Sequence, residues 1–203
     1  MASEIKQGTL ELVNHLPILQ VITPMLIAPI LVVLNNKTLS WLLSFLGALA
    51  CLFISILLMQ TVSDGSILTY YLGGWVPPIG IEYRIDAANA ILLFLISIIS
   101  AIVLIFSYSS LHAEIPEEKH TLFYSCFLLC LTGLLGVVAT ADIFNVFVFL
   151  EISSLSTYVL VAQGAYLDRR ALSASFNYLI MGTIGATFFV IGIGYIYLSL
   201  IHI

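Results

Sequence analysis

The sequence predicts an all-α, polytopic transmembrane helix bundle of about six spans carrying a short extracytoplasmic β-hairpin. Three observations carry that prediction. Of 203 residues, 61% are hydrophobic and only 8% charged, with a mean hydropathy of +1.14; a soluble domain carries about a quarter charged residues. Apolar stretches long enough to cross a bilayer recur along the whole chain, broken by short polar turns. One longer connection, SDGSILTYYLGGWVPPIGIEYRID, alternates short β-type segments around Gly-Gly and Pro-Pro pairs. With 6 basic and 11 acidic residues the chain cannot solvate a globular surface. That excludes a soluble enzyme, a nucleic-acid binder and a disordered chain. The net charge of −5 and pI near 5.1 speak against a polybasic partner surface.

A span needs about 20 apolar residues to cross roughly 30 Å of hydrocarbon. Six stretches qualify, at about 17–34, 39–62, 87–108, 121–140, 143–161 and 171–198. The first stops at Asn35, Asn36 and Lys37. The Gly73-Gly74 and Pro77-Pro78 pairs are turn signals, so a hairpin on the membrane surface is expected between spans two and three. The turn between spans four and five is very short and makes them antiparallel neighbours. Gly133 and Gly136 in span four, and Gly182, Gly185 and Ala186 in span six, offer small faces for close helix packing. Residues 1–203 read as a single transmembrane domain.

The N-terminal MASEIKQGTLELVNH lacks the basic start, apolar core and cleavage site of a signal peptide. Lys and Arg in the loops set the orientation. Lys6 and Arg84 fall on one side; Lys37, Lys119, Arg169 and Arg170 fall on the other, which is expected to be cytoplasmic. The N-terminus and the 63–86 hairpin are then extracytoplasmic, in an integral plasma (inner) membrane protein. Cys51, Cys126 and Cys130 lie in apolar runs, where thiols act as small hydrophobes, and no His or further Cys completes a metal set.

One acidic or basic residue sits well inside a span, and it is Glu151. At 1.5 Å per residue it lies about 13 Å beyond Asp142, which marks the membrane edge. An ionised carboxylate near the midplane is costly, so it must be protonated, paired or hydrated. That is the condition for a proton-carrying group. Ser154 and Tyr158 share its helical face, with Ser153, Ser156 and Thr157 close by, and Phe144, Phe147 and Val148 continue toward the outside. Bonding of these hydroxyls to carbonyls one turn back is the alternative reading. Asp142 and Asp86 look like helix N-caps, the competing readings being an ion-access role for Asp142 and an outside acceptor for Asp86. His112 and His120 flank an acidic loop, and Asn177, Tyr178, Thr183 and Thr187 make span six polar enough to face a hydrated interior.

The stretch TADIFNVFVFLEISSLSTYVLVAQG resembles the fifth-helix signature of the antiporter-like proton-translocating membrane subunits. That family includes the D-type subunits of Mrp-type cation/proton antiporters and the antiporter-like subunits of respiratory complex I. GGWVPPIGIEYRIDAANA, LLCLTGLLG and RRALSASFNYLIMGTIGATFFVIGIGYIY match in the same order, and GGWVPPIGIEYRID and FVFLEISSLS look closer to the Mrp branch. The resemblance implies a long bundle of two inverted five-helix repeats, each with a broken helix. In it the fifth-helix Glu, here Glu151, pairs with a seventh-helix Lys and further lysines carry the proton path onward. No such lysine lies in these spans, so the sequence reads as the N-terminal portion of such a subunit. Span six runs without a polar stop into LSLIHI, a hexapeptide that a common transposon-type adapter encodes in this frame, so His202 is given no role.

The function expected is that of a proton-translocating subunit of a multisubunit monovalent cation/proton antiporter, Na⁺ being the expected cation. Its partners are other membrane subunits and the lipid bilayer, not nucleic acid. Glu151 would carry the proton, supported by Ser154, Tyr158 and Asp142. The alternatives are an antiporter-like pumping subunit of a complex I or membrane hydrogenase assembly, which would make it part of an NADH:quinone oxidoreductase, and a non-transporting scaffold. No cofactor or metal is implied, and the chain is expected to perform no chemistry of its own.

Overall fold

The computed structural model describes residues 14–77 and 79–201. The expectations that rest on residues 1–13, including Lys6, on Pro78 and on His202 and Ile203 lie outside the described residues. Among the described residues, six helices are long and apolar enough to cross a membrane. They are α1 (Leu16–Leu34), α2 (Lys37–Thr61), α3 (Ala87–Glu114), α4 (His120–Ala139), α5 (Ile143–Gln163) and α6 (Arg170–Ile201). Strands β1 (Leu68–Tyr71) and β2 (Glu82–Ile85) form the antiparallel hairpin between α2 and α3.

Each boundary has a local cause. Pro17 fits the first turn of α1, whose amides have no partners inside the helix. Asn35 closes α1 in the left-handed region at φ 43°, and the side chain of Asn36 then accepts from Leu39 N–H to start α2. This tight corner forces α1 and α2 antiparallel. The third helix continues to Glu114, beyond the 108 expected from hydropathy alone. Its polar last turns are held by the His112 Nδ1 contact with the Tyr108 carbonyl at 2.7 Å and by Ser110 Oγ donating to Glu114 at 2.9 Å. It stops because Ile115 precedes Pro116 and is driven to extended backbone, φ −126° and ψ 137°.

Inside lipid, every backbone carbonyl needs a donor from the protein. Pro24, buried inside α1, has no N–H to give the Gln20 carbonyl. Cys51 Sγ on α2 donates to that carbonyl at 3.6 Å. Ser125 Oγ on α4 donates to the Ala28 carbonyl at 2.9 Å, and Gln20 Nε2 reaches Ser97 Oγ on α3 at 3.1 Å. These bonds stitch α1 into the bundle on three sides. At the opposite end from the hairpin, the exposed Lys37 pairs with Glu117 and holds its carboxyl below the usual carboxylate range.

α4 is the hub. It packs on α1, α2, α3 and α5 and is the most enclosed of the six, whereas α6 packs chiefly on α5 and is largely exposed. The hairpin pairs Leu68 with Ile85 and Tyr71 with Glu82. Its turn uses Gly73 at φ 63° and Gly74 at φ 76°, conformations a side chain would strain. Tyr83 and Ile85 point inward and are buried; Arg84 between them faces out. The ribbon is fastened to the α4–α5 corner: Tyr83 bridges Thr140, and Ala141 N–H donates to the Glu82 carbonyl at 2.9 Å. Asn89 Nδ2 adds bonds to the carbonyls of Arg84 at 2.8 Å and Val138 at 3.0 Å.

Candidate functional site

The site begins with the start of α5. Asp142 is its N-cap: one carboxylate oxygen accepts from Phe144 N–H at 2.7 Å and Asn145 N–H at 3.0 Å. Asn145 Nδ2 and Asp142 N–H both donate to Thr140 Oγ1, locking the corner. Asp86 caps α3 in the same way through Asn89 N–H at 2.9 Å. Asp142 therefore fixes where α5 begins and so how deep Glu151 sits. It stands about 13 Å from Glu151 along the helix and does not touch it.

Two faces of α5 do different work. Toward α4, Gly133 and Gly136 admit Phe149 and Ser153 so closely that a Cβ on Gly136 would sit 2.3 Å from the Phe149 ring, and one on Gly133 2.6 Å from Ser153 Cβ. Ser153 and Thr157 meet Cys130 Sγ at 3.6 and 3.4 Å. Toward α6, a cavity of about 240 Å³ is walled by Phe147, Glu151 and Ser154 on one side and by Gly182, Gly185 and Phe189 on the other. Glu151 is half-buried. The cavity has room for several waters.

The structure thus brings Glu151 and Ser154 together. Tyr158 is buried beyond them, its hydroxyl laid over Gly182: a Cβ on Gly182 would fall 1.7 Å from that oxygen. Its ring stands edge-on to Tyr178 with centroids 4.9 Å apart, and its carbonyl accepts from Ser175 Oγ at 2.8 Å. Ser153 and Thr157 do not join Glu151, because the 3.6-residue period turns them toward α4. Ser156 Oγ donates back to the Ile152 carbonyl at 2.7 Å. Gly182 packs closely as expected, whereas Gly185 has open space beside it. Phe189 completes the α6 wall, a residue that hydropathy and charge do not single out; its signal in the sequence is its place seven residues from Gly182, on one helical face. Among the described residues, no hydrogen bond or ion pair reaches the Glu151 carboxylate.

Residues 140–200 match the family described as NADH:quinone oxidoreductase/Mrp antiporter, TM. That stretch holds both walls of the cavity. Among curated relatives, the chain is 39% identical over 186 residues to the N-type subunit of the NADH-quinone oxidoreductase of Desulforudis audaxviator (strain MP104C), covering 90% of this chain and 36% of the relative. It is 29% identical to the D-type subunit of the Na(+)/H(+) antiporter of Alkalihalophilus pseudofirmus (strain ATCC BAA-2126 / JCM 17055 / OF4), covering 91% of this chain and 36% of that one. A chain in the solved structure of the membrane-bound sulfane sulfur reductase, an archaeal respiratory membrane complex, superposes with a TM-score of 0.78 at 31% identity. That match covers 92% of this chain and 37% of the other.

Helix order, hairpin and the α5–α6 pair together define an antiporter-like integral membrane subunit. The chain is related to the membrane subunits of Mrp antiporters and NADH:quinone oxidoreductases, and it spans about 36% of the length of the curated relatives it matches. The local likeness of GGWVPPIGIEYRID and FVFLEISSLS to the Mrp branch is not matched by overall identity, which is higher to the NADH-quinone oxidoreductase relative.

Proposed function

We propose that residues 1–203 form one transmembrane domain within an antiporter-like subunit of a multisubunit membrane assembly. That subunit moves protons across the plasma membrane, and Glu151 carries them. The observation that carries this reading is the placement of Glu151: the one acidic or basic side chain in the interior turns of the described spans opens on a cavity able to hold water. A carboxylate so placed gains or loses a proton more cheaply than it holds a bare charge in lipid. Ser154, on the same wall, is positioned to orient that water, and Tyr158 closes the seam below it. In this reading the exchanged ion is Na⁺ or another monovalent cation, and the hairpin faces the extracytoplasmic side. The higher identity to the NADH-quinone oxidoreductase relative favours a second assignment, in which the same helices pump within an NADH:quinone oxidoreductase-type assembly. Glu151 does the same work in both.

The test is proton transport by the native assembly in sealed vesicles. Glu151→Gln should abolish transport with the complex assembled at normal yield, and Glu151→Asp should retain part of it, since the acid is kept but drawn back by a methylene. Wild-type rates in the Gln variant would leave Glu151 with no proton-carrying role and the chain as a scaffold. Co-purifying proteins decide between the two assemblies: antiporter subunits indicate cation exchange, and NADH-oxidising subunits indicate redox-driven pumping.

A further inference from the structure

The seam between α5 and α6 holds a second cavity. It lies at the hairpin end, about 310 Å³ in volume, and is lined by Glu82 of β2, by Asp142 and Ile143 at the start of α5, by Ile196 and Tyr197 of α6, and by Pro77. On α5 it ends one turn before Phe147, about 6 Å along the axis. Between the two cavities stands an aromatic stack. The rings of Phe147 and Phe189 lie 6.4 Å apart and within 17° of parallel, and Phe144 braces Phe147 at 6.3 Å. Ile193, buried on α6, lies one turn from Phe189 toward the second cavity. Phe147 and Phe189 also line the Glu151 cavity, so the same two rings border both the carboxylate and the path out.

We propose that the hairpin-side cavity is the vestibule through which Glu151 meets water, and that the Phe147–Phe189 stack is the barrier across it. The proposal rests on the proton-carrier reading of Glu151 and names its access route. Two near-parallel phenyl rings at the seam make an apolar constriction that water leaves readily, and such constrictions gate by wetting and drying. A rotation of the Phe189 side chain to another staggered conformer breaks the stack and joins the cavities. The vestibule carries two carboxylates. Asp142 commits one oxygen to the helix cap, and Glu82 is held by its backbone bond to Ala141, leaving its side chain uncommitted to the ladder. Their negative charge concentrates protons and cations at the mouth. The other end of the seam is shut differently, by Tyr158 seated on Gly182 and flanked by Tyr178. Access is therefore from the hairpin side.

Labelling tests access without requiring transport. In the native assembly, with Cys51, Cys126 and Cys130 changed to Ser, Glu151→Cys is exposed to a charged, membrane-impermeant methanethiosulfonate from each face of sealed vesicles. From the hairpin side the reaction should be slow, and Phe189→Ala or Phe147→Ala should accelerate it about tenfold or more, with the opposite face unchanged. Phe189→Leu, which keeps most of the bulk, should give a smaller acceleration and serves where the Ala variants fail to insert. Unchanged labelling in the Phe variants, or acceleration from the opposite face, overturns the proposal. Loss of transport in Glu151→Gln with no effect of the Phe variants on labelling would keep the carrier and remove the gate. Normal transport in Glu151→Gln with accelerated labelling would do the reverse.

Discussion

Gly136 and Gly185 look alike in the sequence, each a small residue within a membrane helix, yet the structure separates them. A methyl on Gly136 would press into the Phe149 ring, while one on Gly185 meets nothing within 4 Å. Gly136→Ala should therefore lower the stability of the detergent-solubilised chain by about 1–3 kcal/mol through overpacking. Gly185→Ala should be neutral, both read as the midpoint of thermal unfolding. Equal midpoints for the two would mean that α4 and α5 do not approach as described. The carboxylate of Glu151 was legible from sequence because charge at mid-span is rare and depth follows from helical rise. The division of the surrounding hydroxyls was not. Ser153, Ser154 and Thr157 are near neighbours in sequence, and only the positions of α4 and α6 decide which meet Cys130 and which meets the cavity.

Among the elements, α5 is the one whose start must be exact to within a residue, since a shift of one would rotate Glu151 by about 100° away from α6. Asp142 supplies that definition. Asp142→Ala should cost about 1 kcal/mol of stability and impair transport, whereas Asp142→Asn, which keeps the capping oxygen, should retain the stability. A transport defect in the Asn variant with normal stability would show that the charge at the vestibule matters in its own right. Hydropathy and turn residues placed every helix start within two residues of its observed position. The end of α3 escaped them, because its last turns are polar and are held by local side-chain bonds rather than by apolar burial.

At the scale of the molecule, burial is graded. α4 is enclosed, α5 is covered on one face, and α6 leaves most of its length open. The sidedness proposed for this arrangement follows from the loop charges and has a direct check. With native cysteines replaced, Val76→Cys in the hairpin turn should label from the extracytoplasmic face of sealed vesicles, and Tyr166→Cys beside Arg169 from the cytoplasmic face. Both positions are exposed. Reversed labelling would invert the orientation and the side from which the vestibule opens. The sequence carried the number of spans and the presence of the hairpin through composition and turn chemistry. It could not carry the attachment of that hairpin to a corner more than fifty residues away, because Tyr83 and Thr140 meet only once α3 and α4 have returned the chain to the same surface.

That attachment has a mechanical meaning. Thr140 is bridged to the ribbon, Ala141 is hydrogen-bonded to it, and Asp142 is already the cap, so no slack segment separates the ribbon from the first turn of α5. The ribbon is thereby coupled directly to the start of the helix, and that coupling should transmit displacement. A load on residues 68–85 should reach the register of α5 as a displacement, since no intervening residue is free of the ribbon or the cap. Conversely, a tilt of α5 should appear as a motion of the ribbon.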